Sequence, residues 1–327
     1  MQDEFILNTN NNRTNLYPIL FEDIWDLYKR SVAAFWVPDE IRLTDDIKDF
    51  EGLNESEKHF ILTVLAFFAN SDFIVNENLD TNFTENIQIP ELKMFYHFAA
   101  MIEDIHSQSY QLMIQTLVPN FEKSKSLFNA VNESKTIKKK AEWARKWIHN
   151  GSFVQRIVAF SMIEGIFFSG SFCSIFWCKK RGLMPGLCQA NELIARDEGM
   201  HRDMACLVYS KYIINKLEKS TLLQMLNEAV QIEKEFINEC LPYKLDGMNS
   251  TLMSQYIEFV ADHLLENLIG EKFYNVECPF PWMTLISMPS KGNFFERQIS
   301  NYTKAGVMGN QNNTNKRNNE IIFDEDF

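Results

Sequence analysis

Apolar stretches separated by short polar or proline-containing breaks divide the chain into a series of segments whose lengths and end signals are typical of helices. The predicted helices lie at 21–34, from Asn54 through Asp72, from Pro90 past Tyr110, at 135–147, from Ser152 to about 180, after Pro185, at 218–240, at 251–268 and at 294–302. The segment that carries Asp72 is apolar on most faces, which places it in the centre of a bundle rather than on its surface. The fold class predicted from this pattern is all-α.

Helix ends carry recognisable capping signals. Asn54 is followed three residues later by Glu57, and Ser152 by Gln155, which are the spacings of N-terminal capping pairs. The Ser152 helix is predicted to end where three cations precede Gly182. Cations stabilise a helix C-terminus, and glycine readily adopts the left-handed conformation that is common at the residue after a helix.

The segment 157–178 has Glu164 as its only charged residue and is long enough to cross a membrane. A carboxylate in the middle of such a span is costly unless it has a function. A buried central helix of a bundle explains the same apolar pattern and gives Glu164 a role. We therefore favour the bundle and expect no membrane segment.

Composition supports a large packed core. The chain has 327 residues, 46% of them hydrophobic, with 27 Phe but only 12 Gly and 9 Pro, which favours long helices over many tight turns. The formal net charge of −12 disfavours a nucleic-acid partner, because phosphate contacts need clustered cations. The six cysteines form no Cys-x-x-Cys pair, and no signal peptide precedes the first helix, so we expect reduced thiols and a cytoplasmic protein.

Two copies of a Glu-x-x-His motif stand out against this apolar background. Three-residue spacing on a helix places both side chains of each pair on one face. Each copy follows a lone carboxylate in an apolar helical segment, 31 residues earlier for the first pair and 34 for the second. The candidate metal ligands are Asp72, Glu103, His106, Glu164, Glu198 and His201. This constellation is typical of a ferritin-like helical bundle with a carboxylate-bridged dimetal site.

The ligand types favour iron or manganese. Oxygen and nitrogen donors without thiolates disfavour zinc–cysteine and iron–sulfur sites. Two divalent ions are neutralised by four carboxylates, so the site can be buried, and bridging carboxylates would hold the ions close enough to bind one O2 between them. The sequence does not separate two iron ions from manganese.

Tyr110 lies one turn beyond His106 on the same face. Phe168 and Phe172 lie four and eight residues beyond Glu164, and Ile194 lies one turn before Glu198. If these faces converge, Tyr110 lies beside the metals in an apolar pocket, where a tyrosine that has lost an electron and its proton would persist. The alternative is that the three apolar residues are simply core. The remaining histidines, His59, His97, His149 and His263, are interpreted as ordinary surface or core residues.

The C-terminal end differs in character. Residues 310–319 are almost entirely Asn and other polar types and predict a flexible linker, whereas residues 321–327 are acidic with aromatic side chains. The ending is interpreted either as a docking peptide or as a frayed terminus; composition does not decide between them.

With these residues, the sequence resembles the small, radical-generating subunit of class I ribonucleotide reductase, of the eukaryotic or eukaryotic-virus type. The resemblance runs from about residue 16 to 327 and is carried by Phe35-Trp36, Ser71-Asp72, residues 103–107, Tyr110, residues 164–172, 180–187, 191–194 and 196–201, and the Asp-x-Asp-Phe ending. The family's dimetal ligands fall on the six candidates above, and its radical falls on Tyr110.

The resemblance also implies partners and an electron path. The family's radical-transfer relay falls on Trp36 and Asp197, linked to the metals through His106, and its tail tyrosine falls on Tyr302. It implies a homodimer, activation by O2, and a large subunit that binds residues 321–327 and reduces ribonucleoside diphosphates. Relatives often carry Phe where this chain has Ile321, and the tail linker here is unusually rich in Asn.

These expectations give a domain plan of an extended arm at 1–20, a bundle at 21–305, a linker at 306–320 and a docking tail at 321–327. Two other functions use the same ligand set: an iron-storage bundle of ferritin type, and a stand-alone dimetal oxidase of a small molecule. Neither needs Tyr110, Trp36, Tyr302 and a docking tail together, so these features favour the reductase subunit.

Overall fold

The computed structural model of the protein describes residues 4–78, 83–241 and 247–283, without the side chains of 70–78 and 130–132. The chain divides into a unit of residues 1–288 and a unit of residues 289–327. All described residues belong to the first unit. The domain boundaries predicted near 305 and 320, and the helix predicted at 294–302, lie outside the described residues.

The described part of the chain is built from eleven α-helices, which confirms the predicted all-α class. In chain order they are α1 (Glu22–Ala33), α2 (Thr44–Gly52), α3 (Glu55–Asn78), α4 (Pro90–Leu117), α5 (Phe121–Glu133), α6 (Lys135–Asn150), α7 (Phe153–Met162), α8 (Ser169–Lys180), α9 (Pro185–Leu207), α10 (Lys219–Cys240) and α11 (Ser250–Ile269).

The helix ends follow the capping signals of the sequence. Asn54 and Glu57 exchange side-chain and backbone hydrogen bonds at the start of α3, and Ser152 and Gln155 do the same at the start of α7. Beyond α8, Gly182 adopts a φ of 68°. In the arm predicted to be extended, short 3-10 turns form at Phe5–Leu7 and Thr9–Asn11.

Helices α3, α4, α7, α8 and α9 surround the middle of the bundle. α4 packs on α1, α3 and α9, while α9 also packs on α7 and α8. The span Phe153–Lys180 is long and apolar enough to cross a membrane, yet its most apolar window is 100% buried inside the protein. Its composition is therefore accounted for by a position in the bundle core.

That span is not one continuous α-helix. The turn Ile163–Phe167 between α7 and α8 is π-helical, and Glu164 lies within it. A π turn holds one residue more than an α turn, and such turns are frequent at functional sites. The four-residue spacing that relates Glu164 to Phe168 and Phe172 in the sequence therefore does not follow one regular helical face.

The start of α9 is fixed by two carboxylates of α2. Asp46 accepts hydrogen bonds from the backbone N–H groups of Gly186 and Leu187 at 2.9 and 2.6 Å, and Asp49 accepts one from Met184 at 2.7 Å. A β-carbon at Gly186 would lie 2.3 Å from the carbonyl oxygen of Arg42, so only glycine fits this approach. These bonds satisfy N–H groups that a helix start leaves open and set the position of the helix that carries the second Glu-x-x-His motif.

Candidate metal centre

Two helices and the π turn bring the candidate ligands together. Glu103 and His106 lie on the buried face of α4, Glu198 and His201 lie on the buried face of α9, and Glu164 enters from the π turn. All five side chains are at most 4% exposed. Glu103, Glu164, Glu198 and His201 each place a ligand atom within 4.8 Å of the others.

Both imidazoles turn the same nitrogen toward the carboxylates. Nδ1 of His106 lies 3.4 Å from Glu103 and 3.1 Å from Glu198, and Nδ1 of His201 lies 2.9 Å from Glu103 and 3.1 Å from Glu198. The Nδ1 atoms and the carboxylate oxygens therefore face a common centre, as the atoms that coordinate a metal ion do.

The protonation preferences reflect this crowding. Burial lowers the pKa of each histidine, but the carboxylates outweigh it: the pKa of His106 rises well above 6.5, and that of His201 rises to about 9. Burial raises the pKa of Glu198, but hydrogen bonds from the two histidines bring it below its usual value. Because imidazole must be neutral to bind a metal, ion binding displaces these protons.

The donor set fits a dimetal centre. Three buried carboxylates this close together repel one another unless cations lie between them. The two imidazoles add nitrogen donors, which gives an oxygen-and-nitrogen ligand set suited to iron or manganese. The predicted sixth ligand, Asp72, belongs to α3, but its side chain lies outside the described residues.

Asp197 connects this centre to a buried tryptophan. Its Oδ2 accepts a 2.7 Å hydrogen bond from Nε1 of Trp36 and lies 3.3 Å from Nε2 of His106. The Trp36 and His106 rings are stacked with centroids 6.1 Å apart. Trp36 and Asp197 are both buried, so a continuous contact runs from the centre to the loop after α1.

Arg196, which the sequence reasoning did not assign a role, holds the other oxygen of Asp197. Its Nε and one terminal nitrogen donate to Oδ1 at 2.9 and 2.8 Å, and the same terminal nitrogen bonds the carbonyl oxygen of Ala34 at 2.5 Å. The arginine thus ties Asp197 to the end of α1, two residues before Trp36. Its adjacency to Asp197 in the sequence was the available signal.

Tyr110 lies in an aromatic pocket and is 2% exposed. Its ring stacks on Phe68 with centroids 4.6 Å apart and planes 2° from parallel, and Phe68 in turn contacts Phe168 and Phe172 at 5.8 and 5.0 Å. Ile194 is fully buried on α9. The predicted apolar surroundings are present, but Phe68, which the sequence reasoning missed, is the aromatic ring that stacks directly on Tyr110.

The other predicted positions are dispersed or undescribed. His59, His97 and His149 are exposed and His263 is partly buried, and none of the four is among the residues clustered at the centre. Tyr302 and residues 321–327 lie outside the described residues.

Comparison with known proteins agrees with this site. The family "Ribonucleotide reductase, small chain" matches residues 13–279. The "Ribonucleoside-diphosphate reductase small subunit" of Dictyostelium discoideum is 52% identical over 99% of this chain and 97% of its own length. The "Ribonucleoside-diphosphate reductase small chain 1" of Saccharomyces cerevisiae is 50% identical over 100% of this chain and 82% of its own length. Among solved structures, the ribonucleotide reductase Rnr4 homodimer from Saccharomyces cerevisiae is 35% identical with a TM-score of 0.80, covering 91% of this chain and 92% of that chain. The chain belongs to the ribonucleotide reductase small chain family, and its fold is the ferritin-like helical bundle predicted from the paired motifs.

Proposed function

We propose that this chain generates and stores a tyrosyl radical on Tyr110 and delivers its oxidising power to a large subunit that reduces ribonucleoside diphosphates. The observation that carries the proposal is the joint presence of a buried carboxylate–histidine centre, a buried tyrosine on the same helix face, and the Trp36–Asp197–His106 contact. The family relationship and the names of the relatives support the reaction.

Asp72, Glu103, His106, Glu164, Glu198 and His201 would hold the two ions. When bound, two iron or manganese ions would supply two of the four electrons that reduce O2 to water, and the oxidised centre would take a third from Tyr110; an external one-electron reductant would supply the fourth. Phe68 covers one face of the Tyr110 ring at stacking distance. Together with Phe168 and Phe172, this aromatic packing keeps water and reductants away from the oxidised ring, which is the condition for a long-lived radical.

Asp197 has a proton-managing role in the proposed relay. Trp36 donates its indole N–H to Oδ2 of Asp197, so this oxygen receives the proton when Trp36 gives up an electron. Arg196 fixes the opposite oxygen, which keeps Oδ2 directed at Trp36 and His106. Tyr302 would connect Trp36 to the large subunit.

Removing residues 321–327 is expected to abolish turnover with a large chain while leaving metal content and the radical unchanged, because the tail contributes docking and not chemistry. The measurement is deoxynucleotide formation beside the EPR spectrum of each protein. A second variant replaces Ile321 and Phe323 with serine and keeps the acidic residues, so it tests whether apolar contacts or charge hold the tail. We expect this variant to lose turnover as the truncation does. Full turnover by the truncated chain would contradict the docking role.

We also propose that the chain forms a homodimer through the outer face of α4. Phe98, Met101, Ile105 and Leu112 lie on one face of this helix, away from the buried ligands. Met101 and Leu112 are 41% and 39% exposed. Phe98 contacts Tyr28 and Phe35 with ring centroids 6.4 Å apart in both cases, so the apolar surface extends onto α1 and the loop after it. A contiguous apolar surface of this kind marks an interface, and a solved relative is described as a homodimer.

Met101→Glu combined with Leu112→Glu is expected to give a monomer that still binds metal, because charges on this face oppose self-association without touching the ligand face. Sedimentation velocity gives the oligomeric state. Phe121→Glu on α5, where the side chain is 72% exposed, is the matched control and keeps the dimer. A dimeric double variant would place the interface elsewhere.

A further inference from the structure

We infer that the buried ion pair between Lys140 and Glu233 is a positioning pair that fixes the π turn carrying Glu164. The inference rests on the proposed function of Glu164 as a metal ligand. The pair lies outside the carboxylate–histidine centre, on α6 and α10, and the functions proposed above do not use it. Lys140 is one of five lysines on α6, yet it is 4% exposed, and Glu233 is fully buried.

Lys140 binds the end of the π turn. Its Nζ donates a 2.8 Å hydrogen bond to the carbonyl oxygen of Phe167, the last residue of that turn. The same ammonium lies 3.9 Å from the ring centroid of Phe67 and 3.8 Å from that of Phe236, in the range of cation–π contacts. The lysine is therefore held by a carbonyl group and two aromatic faces as well as by Glu233, which lies 2.5 Å away.

Glu233 binds the beginning of the next helix. Its Oε1 accepts a hydrogen bond from the backbone N–H of Gly170 at 3.2 Å. A β-carbon on Gly170 would lie 2.7 Å from that oxygen and 2.6 Å from Ile237. Glycine therefore permits the close approach of the carboxylate to the backbone of α8.

The backbone groups of the π turn explain why an ion pair lies here. Departing from the regular helical pattern leaves backbone donors and acceptors without their usual partners, and a buried unpaired group is destabilising. Ser169 Oγ donates a hydrogen bond to the carbonyl oxygen of Ile166 at 2.7 Å. Lys140 donates to the carbonyl oxygen of Phe167, and Glu233 accepts from the N–H of Gly170. Three side chains thus bind backbone groups of residues 166, 167 and 170, where the π turn passes into α8.

A buried ion pair is not by itself a gain in stability, since desolvation of the two charges offsets much of their attraction. Burial is indeed the largest influence on both groups: it raises the pKa of Glu233 to about 7 and lowers the pKa of Lys140. The pair is better explained by the backbone groups that it binds, because these lie where the π turn ends and α8 begins.

The position of this turn matters at both ends of the site. Glu164 is three residues before Phe167, so a shift of the turn moves its carboxylate relative to Glu103 and Glu198. Phe168 follows Phe167 directly and contacts Phe68, which stacks on Tyr110. The Lys140–Glu233 pair therefore acts on the metal ligand and the tyrosine pocket without touching either.

Two neutral double variants of the full chain separate backbone binding from charge. In Lys140→Met with Glu233→Leu, both charges and both backbone contacts are removed. In Lys140→Gln with Glu233→Gln, both charges are removed, but an amide N–H can still donate to Phe167 and an amide oxygen can still accept from Gly170. The readouts are Mn(II) affinity, from the EPR signal of free Mn(II) in titrations of metal-free protein, and the thermal unfolding midpoint.

We expect the amide pair to bind Mn(II) like the wild type and the apolar pair to bind at least about tenfold more weakly; supporting residues around metal ligands typically contribute this much affinity. The unfolding midpoint of the apolar pair is expected to fall, because a backbone group of Phe167 and one of Gly170 lose their side-chain partners, but to stay above the temperature of the titration. Equal affinity of the two variants would overturn the inference. If the apolar pair fails to fold, Lys140→Met with Glu233→Gln replaces it and must bind more weakly than the amide pair for the inference to stand. Failure of the wild type to bind Mn(II) or Fe(II) would instead contradict the proposed metal centre.

Discussion

Replacing Tyr110 with phenylalanine is expected to abolish both the radical and all reductase activity while leaving the fold and metal binding unchanged. The substitution removes only the phenolic hydroxyl, and the ring that stacks on Phe68 at 4.6 Å remains. Phenylalanine has no acidic proton to release on oxidation, so no stable neutral radical can form there. EPR after iron loading in air, together with turnover in the presence of a large chain, measures the two effects.

The same helix provides a matched control. Tyr96 lies seven residues before Glu103, as Tyr110 lies seven residues after it, so both tyrosines lie on the same face of α4. Tyr96 is fully buried among Phe83, Phe95 and Phe160. Tyr96→Phe is expected to keep both the radical and turnover. Activity in Tyr110→Phe, or loss of the radical only in Tyr96→Phe, would contradict the assignment of the radical to Tyr110.

Trp36→Phe is expected to leave the Tyr110 radical in place and to abolish turnover with the large chain. The variant keeps an aromatic ring next to His106 but loses the N–H that donates to Asp197 at 2.7 Å. Phenylalanine is also much harder to oxidise than tryptophan, so the relay loses both its electron carrier and its proton contact. Radical content by EPR and deoxynucleotide formation should therefore separate in this variant, in contrast to Tyr110→Phe, where both are lost.

Trp147→Phe on α6 is the control for this experiment, because the Trp147 indole nitrogen is buried without a hydrogen-bond partner among the described residues. It is expected to retain turnover. A Trp36→Phe chain that turns over at the wild-type rate would show that electrons do not pass through Trp36.

Helical periodicity was sufficient to predict much of the centre. The spacing of Glu103, His106 and Tyr110 placed them on one face of a helix, and the structure buries that face. The repeat of the motif at Glu198 and His201 predicted a second helix facing the first, and the ligand atoms of the two helices do meet. Which residues share a helix face depends only on their spacing along the chain, and this spacing can be read directly from the sequence.

Contacts between distant segments were less predictable. Trp36 and Asp197 were paired only through the resemblance to a family, because 161 residues separate them and no local rule relates them. The π turn at Glu164 has no composition signal of its own, since its residues are as apolar as those of the α-helices on either side. Lys140 is one of five lysines on α6 and nothing in the sequence singles it out; only the packing of α10 against α6 shows that it is buried beside Glu233.

The measurement that tests the central claim most directly is the EPR and visible spectrum of metal-free protein loaded with Fe(II) and then exposed to air. The account predicts iron binding followed by a tyrosyl-radical doublet that is absent in Tyr110→Phe and present in Tyr96→Phe. Iron uptake without any radical would contradict the account and favour an iron-storage bundle, a dimetal oxidase or a manganese-dependent centre.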